Sequence, residues 1–349
     1  MKDELIMILI LLFLAFDILF KAKIVPVNEN FFDKTNSQAM RGFWCLIVIL
    51  VHVPALYQNR IQDMIGSFAY IGVTFFFMTS AYGLTLSQDK NSQGISYFWR
   101  KRLPKLLITT WVVSILFSVI NMCVFGEQFK FTKAFGISEW VKWLIACYFA
   151  FWLTNILLKK NNSWKIATCI LIVLGSLAVY CLLKNGLYSK TAWTTECFGF
   201  IWGIVLASIV NSFSVFFEKK WLLKWGLCTF FSLVLGVGYL KFKTIPFFGD
   251  YVLKIILGLA ITLFVLIANI RIKFGNSINL FLGTISFEVY LVHGHVFRFL
   301  GKIYEWNSSG VFIITSIVAT IIVSVIVHYI ADGLVKTIMK MPVMQNRGK

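Results

Sequence analysis

Long apolar segments recur along the whole chain, and short polar stretches separate them. A membrane-crossing helix needs roughly 20 predominantly apolar residues. The pattern therefore predicts an all-α, polytopic transmembrane bundle of about eleven helices. The predicted spans are 5–20, 42–59, 65–87, 106–126, 141–158, 166–183, 196–216, 221–240, 251–270, 284–301 and 310–333.

Composition supports a membrane protein. Hydrophobic residues make up 59% of the chain and charged residues 14%, whereas about 25% of a soluble domain is charged. The longest polar stretches, 21–41 and 88–105, are too short for a separate soluble domain. We predict an N-terminal helix and linker at 1–34, a membrane domain at 35–335 and a cytoplasmic tail at 336–349.

The net charge of +18 predicts contact with membrane lipids. The basic residues cluster between apolar spans, so anionic headgroups and membrane orientation account for the excess better than nucleic acid does. The seven cysteines are scattered through apolar spans without the spacing of a zinc site or a disulfide framework. We expect no metal. The N-terminus does not resemble a cleaved signal, because Asp3 and Glu4 occupy its would-be basic region.

Most of the 33 basic residues fall on one set of alternating loops and helix ends. Such loops are cytoplasmic in membrane proteins. We therefore expect a multi-pass protein of the cell membrane in which Arg41, the 88–105 stretch and the C-terminus face the cytoplasm. The N-terminus and the region of Glu196 then face outward.

The stretch RGFWCLIVILVH places Arg41 and His52 at the two ends of an apolar segment. Their interval is close to three helical turns, or roughly 16 Å along the axis, so both project from nearly the same face. With Arg41 at the membrane boundary, His52 is expected near the middle of a hydrocarbon core about 30 Å thick. An ionisable residue there indicates function. The simpler alternatives are a topology anchor for Arg41 and a packing role for His52.

The tenth predicted span contains SFEVYLVHGH, in which Ser286, Tyr290 and His293 share one helical face. His293 is expected at the depth of His52, and the two imidazoles then share a polar cavity. A polar interhelical contact is the alternative. Glu288 and His295 form a second pair on another face, for which that alternative is favoured.

The run FWRKRLPK contains Arg100, Lys101, Arg102 and Lys105 just before a predicted span. Guanidinium and ammonium groups suit phosphate oxygens, so this density of charge is typical of a polyphosphate site. Anchoring at the inner membrane surface is the alternative. Glu196 is a rare acidic residue at a membrane boundary, where it contacts a polar substrate or reaches water.

Together these stretches resemble the acyltransferase 3 family of integral membrane O-acyltransferases. Arg41 and His52 match the family's Arg/Lys-x10-His pattern, and GVTFFFMTSA at 72–81 matches its G-V-x-x-F-F-x-x-S-G signature, with alanine for the last glycine. Arg102 and Lys105 match an R-x-x-R motif, with lysine for the second arginine. Ser286, Tyr290, Leu291 and His293 match S-x-x-x-Y-L-x-H. The resemblance runs from about residue 35 to 335, and the first predicted helix adds to the family's usual ten.

The resemblance implies acetyl transfer from acetyl-CoA to a hydroxyl of a glycan or lipid-linked glycan, most often a cell-surface polysaccharide. It implies catalytic roles for Arg41, His52 and His293, and substrate contacts for Ser286 and Tyr290. Glu196 is added to the predicted substrate contacts because of its position at the membrane boundary. Arg100, Lys101, Arg102 and Lys105 are expected to hold the coenzyme. His52 is either a general base or a covalent acyl carrier. The rival hypothesis is a non-enzymatic transporter or flippase with a His/Glu proton relay. Oligomeric state is not predicted.

Overall fold

The computed structural model describes residues 2–28, 30–158, 162–188 and 193–340, and the chain in these ranges is almost entirely helical. The helices are α1 (Lys2–Leu19), α2 (Lys34–Val51), α3 (Arg60–Gly66), α4 (Tyr70–Lys90), α5 (Phe98–Phe125), α6 (Phe131–Ala134), α7 (Glu139–Leu157), α8 (Ser163–Lys184), α9 (Phe198–Glu218), α10 (Trp221–Phe242), α11 (Lys254–Arg271), α12 (Ser277–Thr284), α13 (Ser286–Ile303) and α14 (Ser309–Lys340). Strands β1 (Lys23–Ile24) and β2 (Ile272–Lys273) form one short antiparallel pair, with Lys23 opposite Lys273.

The predicted all-α membrane bundle is confirmed, and all eleven predicted spans contain helix. Among the described residues, eight helices are long and apolar enough to cross a membrane, and α12 with α13, bent by 78°, would make a ninth. The remaining two predicted spans correspond to α1 and α2. The apolar part of α1, Leu5–Leu19, is shorter than the eight spanning helices, and the first half of α2 is polar. The last helix continues to Lys340, into the segment predicted as a tail, and residues 341–349 lie outside the described ranges.

Helix α2 begins and ends about eight residues earlier than the predicted span at 42–59, which is a correction. Its start is set by Asp33, whose carboxylate accepts a hydrogen bond from the Asn36 amide at 2.7 Å. Its end is set by Pro54, which cannot donate within a helix and disfavours helical geometry in the residue before it. Arg41 therefore lies about two turns inside α2, and His52 caps its C-terminus.

The predicted span at 106–126 placed the basic run at 98–105 before the helix. In the structure this run instead forms the first two turns of α5. Lys105 follows Arg102 by three residues and Lys101 by four, so these three project from one side of α5. Arg100 projects from the other side. Pro104 lies in the second turn of α5, beyond the first four N–H groups that lack intrahelical partners, so the helix loses one backbone hydrogen bond there.

Helices α2 and α12 cross with their backbones in contact. A Cβ added to Gly42 would lie 1.9 Å from the carbonyl oxygen of Asn279, and one added to Gly283 would lie 2.0 Å from that of Gln38. Helices α4 and α9 cross in the same way, because Gly199 of α9 meets the carbonyl of Thr74. Small residues permit such close approach in membrane bundles.

We predict that Gly42→Ala destabilises the protein, because the added methyl group forces α2 away from the α12 backbone. The expected loss is about 1–3 kcal/mol, the scale of overpacking a close-packed interior. It is measured as a lower midpoint of thermal unfolding in detergent. Gly226→Ala on α10 is the control, since a Cβ there meets open space. Equal midpoints for the two variants would contradict this account of the crossing.

The helix ends define two ends of the bundle. The basic end carries Lys34, Arg102 and Lys273, and the distal end carries Gly126, where α5 terminates, and Gly310 at the start of α14. Helix α1 joins the two ends. Ile6 packs beside Gly310, and the buried Asp17 accepts a hydrogen bond of 2.9 Å from Asn279 beside β2. The first helix therefore runs alongside the bundle from the distal end to the basic end.

Candidate active site

His52 and His293 lie side by side in one cavity, as the sequence predicted. Their ring centroids are 4.8 Å apart. Each Nδ1 lies beside the carbonyl oxygen four residues earlier, at 2.8 Å from Val48 and 3.0 Å from Val289. A carbonyl only accepts, so Nδ1 carries the hydrogen and Nε2 of the neutral ring keeps a free lone pair. Both imidazoles are thus held in the tautomer that a general base at Nε2 requires.

The two rings line a cavity of about 340 Å³, the histidine cavity. Its wall includes Val48, Val51, Gly66, Ala69, Tyr70, Val73, Trp140, Trp193 and Tyr290. His52 is exposed at the surface of the protein, whereas His293 is half-buried. The cavity is thus mostly apolar with a few converging polar groups, which is the usual composition of a small-molecule site.

Two adjoining cavities, of about 890 and 390 Å³, lie at the basic end and share Lys34, Arg41, Ser80, Arg102 and Tyr148. We call them together the basic cavity. Its basic side chains are Lys34, Arg41, Lys90, Lys101, Arg102 and Lys105, against the carboxylates of Asp33 and Glu288. This excess of positive charge in a concave site favours a polyanionic ligand.

Arg41 is one of the residues that line both compartments of the basic cavity. Its Nε is buried and has no hydrogen-bond partner within the described residues. A buried guanidinium nitrogen without a partner is costly, so a ligand oxygen fits this position. Lys34 and Gln38 precede Arg41 at helical spacing and line the same wall.

The structure divides the four predicted coenzyme residues. Lys101, Arg102 and Lys105 line the basic cavity, and Arg102 faces both compartments. Arg100 lies outside the lining of these two compartments, because it projects from the other side of α5. Three cations of the predicted phosphate site therefore converge with Arg41.

An aromatic cluster separates the basic cavity from the histidine cavity. Phe76 and Phe287 line the first, and Trp140 and Tyr290 line the second. The rings of Phe76 and Tyr290 have centroids 5.9 Å apart, and those of Trp140 and Phe287 are 5.5 Å apart. The two cavities thus lie back to back, and α2 carries Arg41 into one and His52 into the other.

The three predicted substrate-binding residues lie in different places. Tyr290 faces the histidine cavity, and its buried hydroxyl has no hydrogen-bond partner among the described residues. Ser286 faces the basic cavity and donates a hydrogen bond of 3.0 Å to the Gly283 carbonyl. Glu196 is buried behind Tyr70, where it pairs with Lys254 at 2.6 Å. Glu196 therefore supports the cavity wall, and its contact with substrate stays a prediction.

Sequence reasoning missed His328, which the fold brings into the basic cavity. Its Nδ1 lies 3.0 Å from Oε1 of Glu288, a side chain that is almost fully buried. The other carboxylate oxygen, Oε2, has no partner within the described chain. A lone histidine in a long apolar helix carries no spacing signal, so this pair emerges only in three dimensions.

Lys34 was detectable, because Lys34, Gln38 and Arg41 follow helical spacing.

Comparison with known proteins identifies the class. A family model described as an acyltransferase domain, that of the acyltransferase 3 family, matches residues 31–329. The chain therefore belongs to the acyltransferase 3 family and is a multi-pass membrane acyltransferase. A search of curated proteins and a search of solved structures each returned no match.

Proposed function

We propose that the protein transfers an acetyl group from cytoplasmic acetyl-CoA to a hydroxyl of a cell-surface glycan. One observation carries the proposal: a cation-lined cavity at one end of α2 lies back to back with a paired-imidazole cavity at the other end. Acetyl-CoA has the matching shape, with phosphates at one end and a thioester at the end of a flexible arm. About 16 Å of helix separate Arg41 from His52.

The donor phosphates bind in the basic cavity against Arg41, Lys101, Arg102 and Lys105. Charge-assisted hydrogen bonds from these groups to phosphate are the strongest polar contacts available to such a ligand. The acyl-bearing arm then extends past the aromatic cluster toward the imidazoles. Phe76, Trp140, Phe287 and Tyr290 enclose this route and keep water from the thioester.

At the histidine cavity, the acceptor hydroxyl attacks the thioester carbonyl while Nε2 of His52 takes its proton. The new C–O bond forms, the C–S bond breaks, and the coenzyme leaves as a thiolate that accepts the proton. In the alternative route Nε2 itself attacks the thioester carbonyl, the C–S bond breaks, and the coenzyme leaves as a thiolate. The acetyl group then passes from the imidazole to the hydroxyl, and the hydroxyl proton goes to the thiolate. His293 lies beside His52, and Nε2 of its neutral ring can accept a hydrogen bond from His52 once that ring is protonated.

The proposal also orients the protein in the membrane. The basic end faces the cytoplasm, where acetyl-CoA is found, and the distal end faces outward. The excess of basic residues at the first end supports this arrangement. The path of α1 then places the N-terminal end of this helix outside.

We predict that an impermeant thiol reagent added to intact cells labels Leu187→Cys at the distal end and spares Lys219→Cys at the basic end. Both side chains are exposed, and both variants are made in a background without the seven native cysteines. Labelling of Lys219→Cys from outside would show that the protein has the opposite orientation in the membrane. The basic cavity would then face away from cytoplasmic acetyl-CoA, and the proposed function would fail.

Arg102 and Arg100 provide a matched test of the donor site. We predict that Arg102→Ala raises the KM for acetyl-CoA about tenfold or more, the scale of one lost charge-assisted hydrogen bond, whereas Arg100→Ala changes it much less. The wild-type KM should also rise with ionic strength, as screened charge contacts require. An equal effect of both substitutions would assign the run to membrane anchoring.

The reaction itself is tested with purified protein in vesicles, radiolabelled acetyl-CoA and envelope glycan from a strain that lacks the gene. Label is expected in the glycan as an alkali-labile ester. Vesicles that incorporate no label while binding acetyl-CoA would overturn the acceptor class, and vesicles that bind none would overturn the donor.

A further inference from the structure

A third cavity, of about 330 Å³, lies at the distal end between α5, α7 and α13. We call it the distal cavity. Its polar lining includes Thr110, Ser114, Lys133, Ser138 and His295. Trp140 and Tyr290 line both this cavity and the histidine cavity. The distal cavity and the histidine cavity therefore share a wall formed by these two side chains.

The surroundings of the distal cavity carry an excess of positive charge. Nζ of Lys302 lies 2.6 Å from Oε1 of Glu127. The pKa of Glu127 is lowered by its hydrogen bond to Lys302 and by the charge of that residue, and further by Lys133 and Arg298. One carboxylate thus faces three cations, and Lys133 lines the cavity itself. The nearby carboxylate of Glu139 is bound by Lys142 at 2.8 Å and by Tyr188 at 3.1 Å. The field at this cavity therefore favours an anion.

The hydroxyl groups of the cavity fit a polyhydroxylated ligand. Oγ of Ser138 is buried and has no hydrogen-bond partner among the described residues. A hydroxyl both donates and accepts, so it matches the hydroxyl of a sugar. The indole of Trp140 offers a flat apolar face beside it. The volume lies near the lower end of the roughly 300–1,000 Å³ of ligand sites, which suits one sugar ring and not a long segment of chain.

We propose that the distal cavity binds an acidic sugar unit of the acceptor glycan, with Lys133 contacting its carboxylate or phosphate group. The acidic unit anchors the glycan, and an adjacent unit presents its hydroxyl to His52 past Trp140 and Tyr290. This assignment rests on the proposed function and narrows it: the acceptor is an anionic glycan. Lys133 is a specificity-determining residue for the acceptor and has no role in binding acetyl-CoA.

The binding test uses Ser114→Cys, which places a thiol in the wall of the cavity. Its modification by a small neutral thiol reagent is followed by mass spectrometry of the peptide that contains position 114. Methyl glucuronide is expected to slow modification at concentrations about three- to tenfold lower than methyl glucoside. A three- to tenfold difference in affinity corresponds to a contact between an exposed ion pair and a charge-assisted hydrogen bond in strength. The two sugars differ only in the group at carbon 6.

Two further substitutions in this background provide the control. Lys133→Met is expected to remove the advantage of methyl glucuronide, whereas Lys130→Met is expected to preserve it. Lys130 is exposed nearby in the chain and does not line the cavity. Equal protection by the two sugars, no protection by either, or a thiol that never reacts would each overturn the proposal. Protection by glycerol 3-phosphate as strong as that by the glucuronide would assign the site to a lipid headgroup and overturn the sugar.

The protection experiment on Ser114→Cys gives a result that does not depend on whether the vesicles transfer acetyl label. If wild-type vesicles transfer no acetyl label, the proposed function fails, and the protection of Ser114→Cys still reports whether the cavity binds an acidic sugar. If label is transferred, Lys133→Met is expected to raise the KM for an acidic glycan acceptor while the KM for acetyl-CoA stays unchanged. A parallel rise in both constants would overturn the assignment of Lys133 to the acceptor.

Discussion

His52→Ala is expected to abolish acetyl transfer while expression and membrane insertion stay near normal. The imidazole is exposed at the histidine cavity, and its Nδ1–H is held by the Val48 carbonyl at 2.8 Å, which leaves Nε2 as the base. General-base assistance contributes typically 10²–10⁴-fold, and loss of a covalent carrier would cost at least as much. The rate of transfer from radiolabelled acetyl-CoA in vesicles measures the effect.

The control for His52 is Leu56→Ala. Leu56 is 82% exposed, follows the same helix end and does not line the histidine cavity, so its truncation should leave the rate unchanged. Binding of acetyl-CoA to His52→Ala should also match the wild type, because the proposed phosphate site lies at the other end of α2. Residual activity above about a tenth of wild type would assign His52 to packing, because a loss of less than tenfold is smaller than the smallest typical general-base contribution.

Arg41→Ala is expected to weaken acetyl-CoA binding more than any other single substitution in the basic cavity. Arg41 faces both compartments, and its buried Nε has no partner among the described residues. A hydrogen bond to a charged group contributes about 1.5–3 kcal/mol, which corresponds to roughly 10- to 150-fold in affinity. Equilibrium binding of labelled acetyl-CoA to the purified protein measures it.

Arg41→Lys separates charge from geometry. Lysine keeps the positive charge and lacks the planar fork that binds two phosphate oxygens at once, so an intermediate affinity is expected. The thermal unfolding midpoint of both variants should stay close to that of wild type, unlike that of Gly42→Ala. Wild-type affinity in Arg41→Ala would remove Arg41 from the donor site and leave it a packing role in α2.

The local motifs of this protein are readable from its sequence because they depend on spacing within one helix. Ser286, Tyr290 and His293 share a face by helical periodicity alone, and the basic run on α5 is visible as four cations in six residues. The depth of His52 was less accessible. It depends on where α2 begins, and that boundary is set by a capping contact from Asp33 that lies outside the apolar pattern.

Hydrophobic periodicity and the motifs of the acyltransferase 3 family determined the class of this protein, its helices and the two histidines, since a membrane helix satisfies its own backbone and is encoded locally. Only the tertiary structure decided which side chains converge. It excluded Arg100 from the basic cavity, placed Glu196 behind Tyr70, and brought His328 to Glu288, 40 residues away in the chain. Such contacts depend on the rotation and crossing of helices, and close backbone approaches such as that of Gly42 to Asn279 help to set these crossings. A one-dimensional pattern does not contain that information.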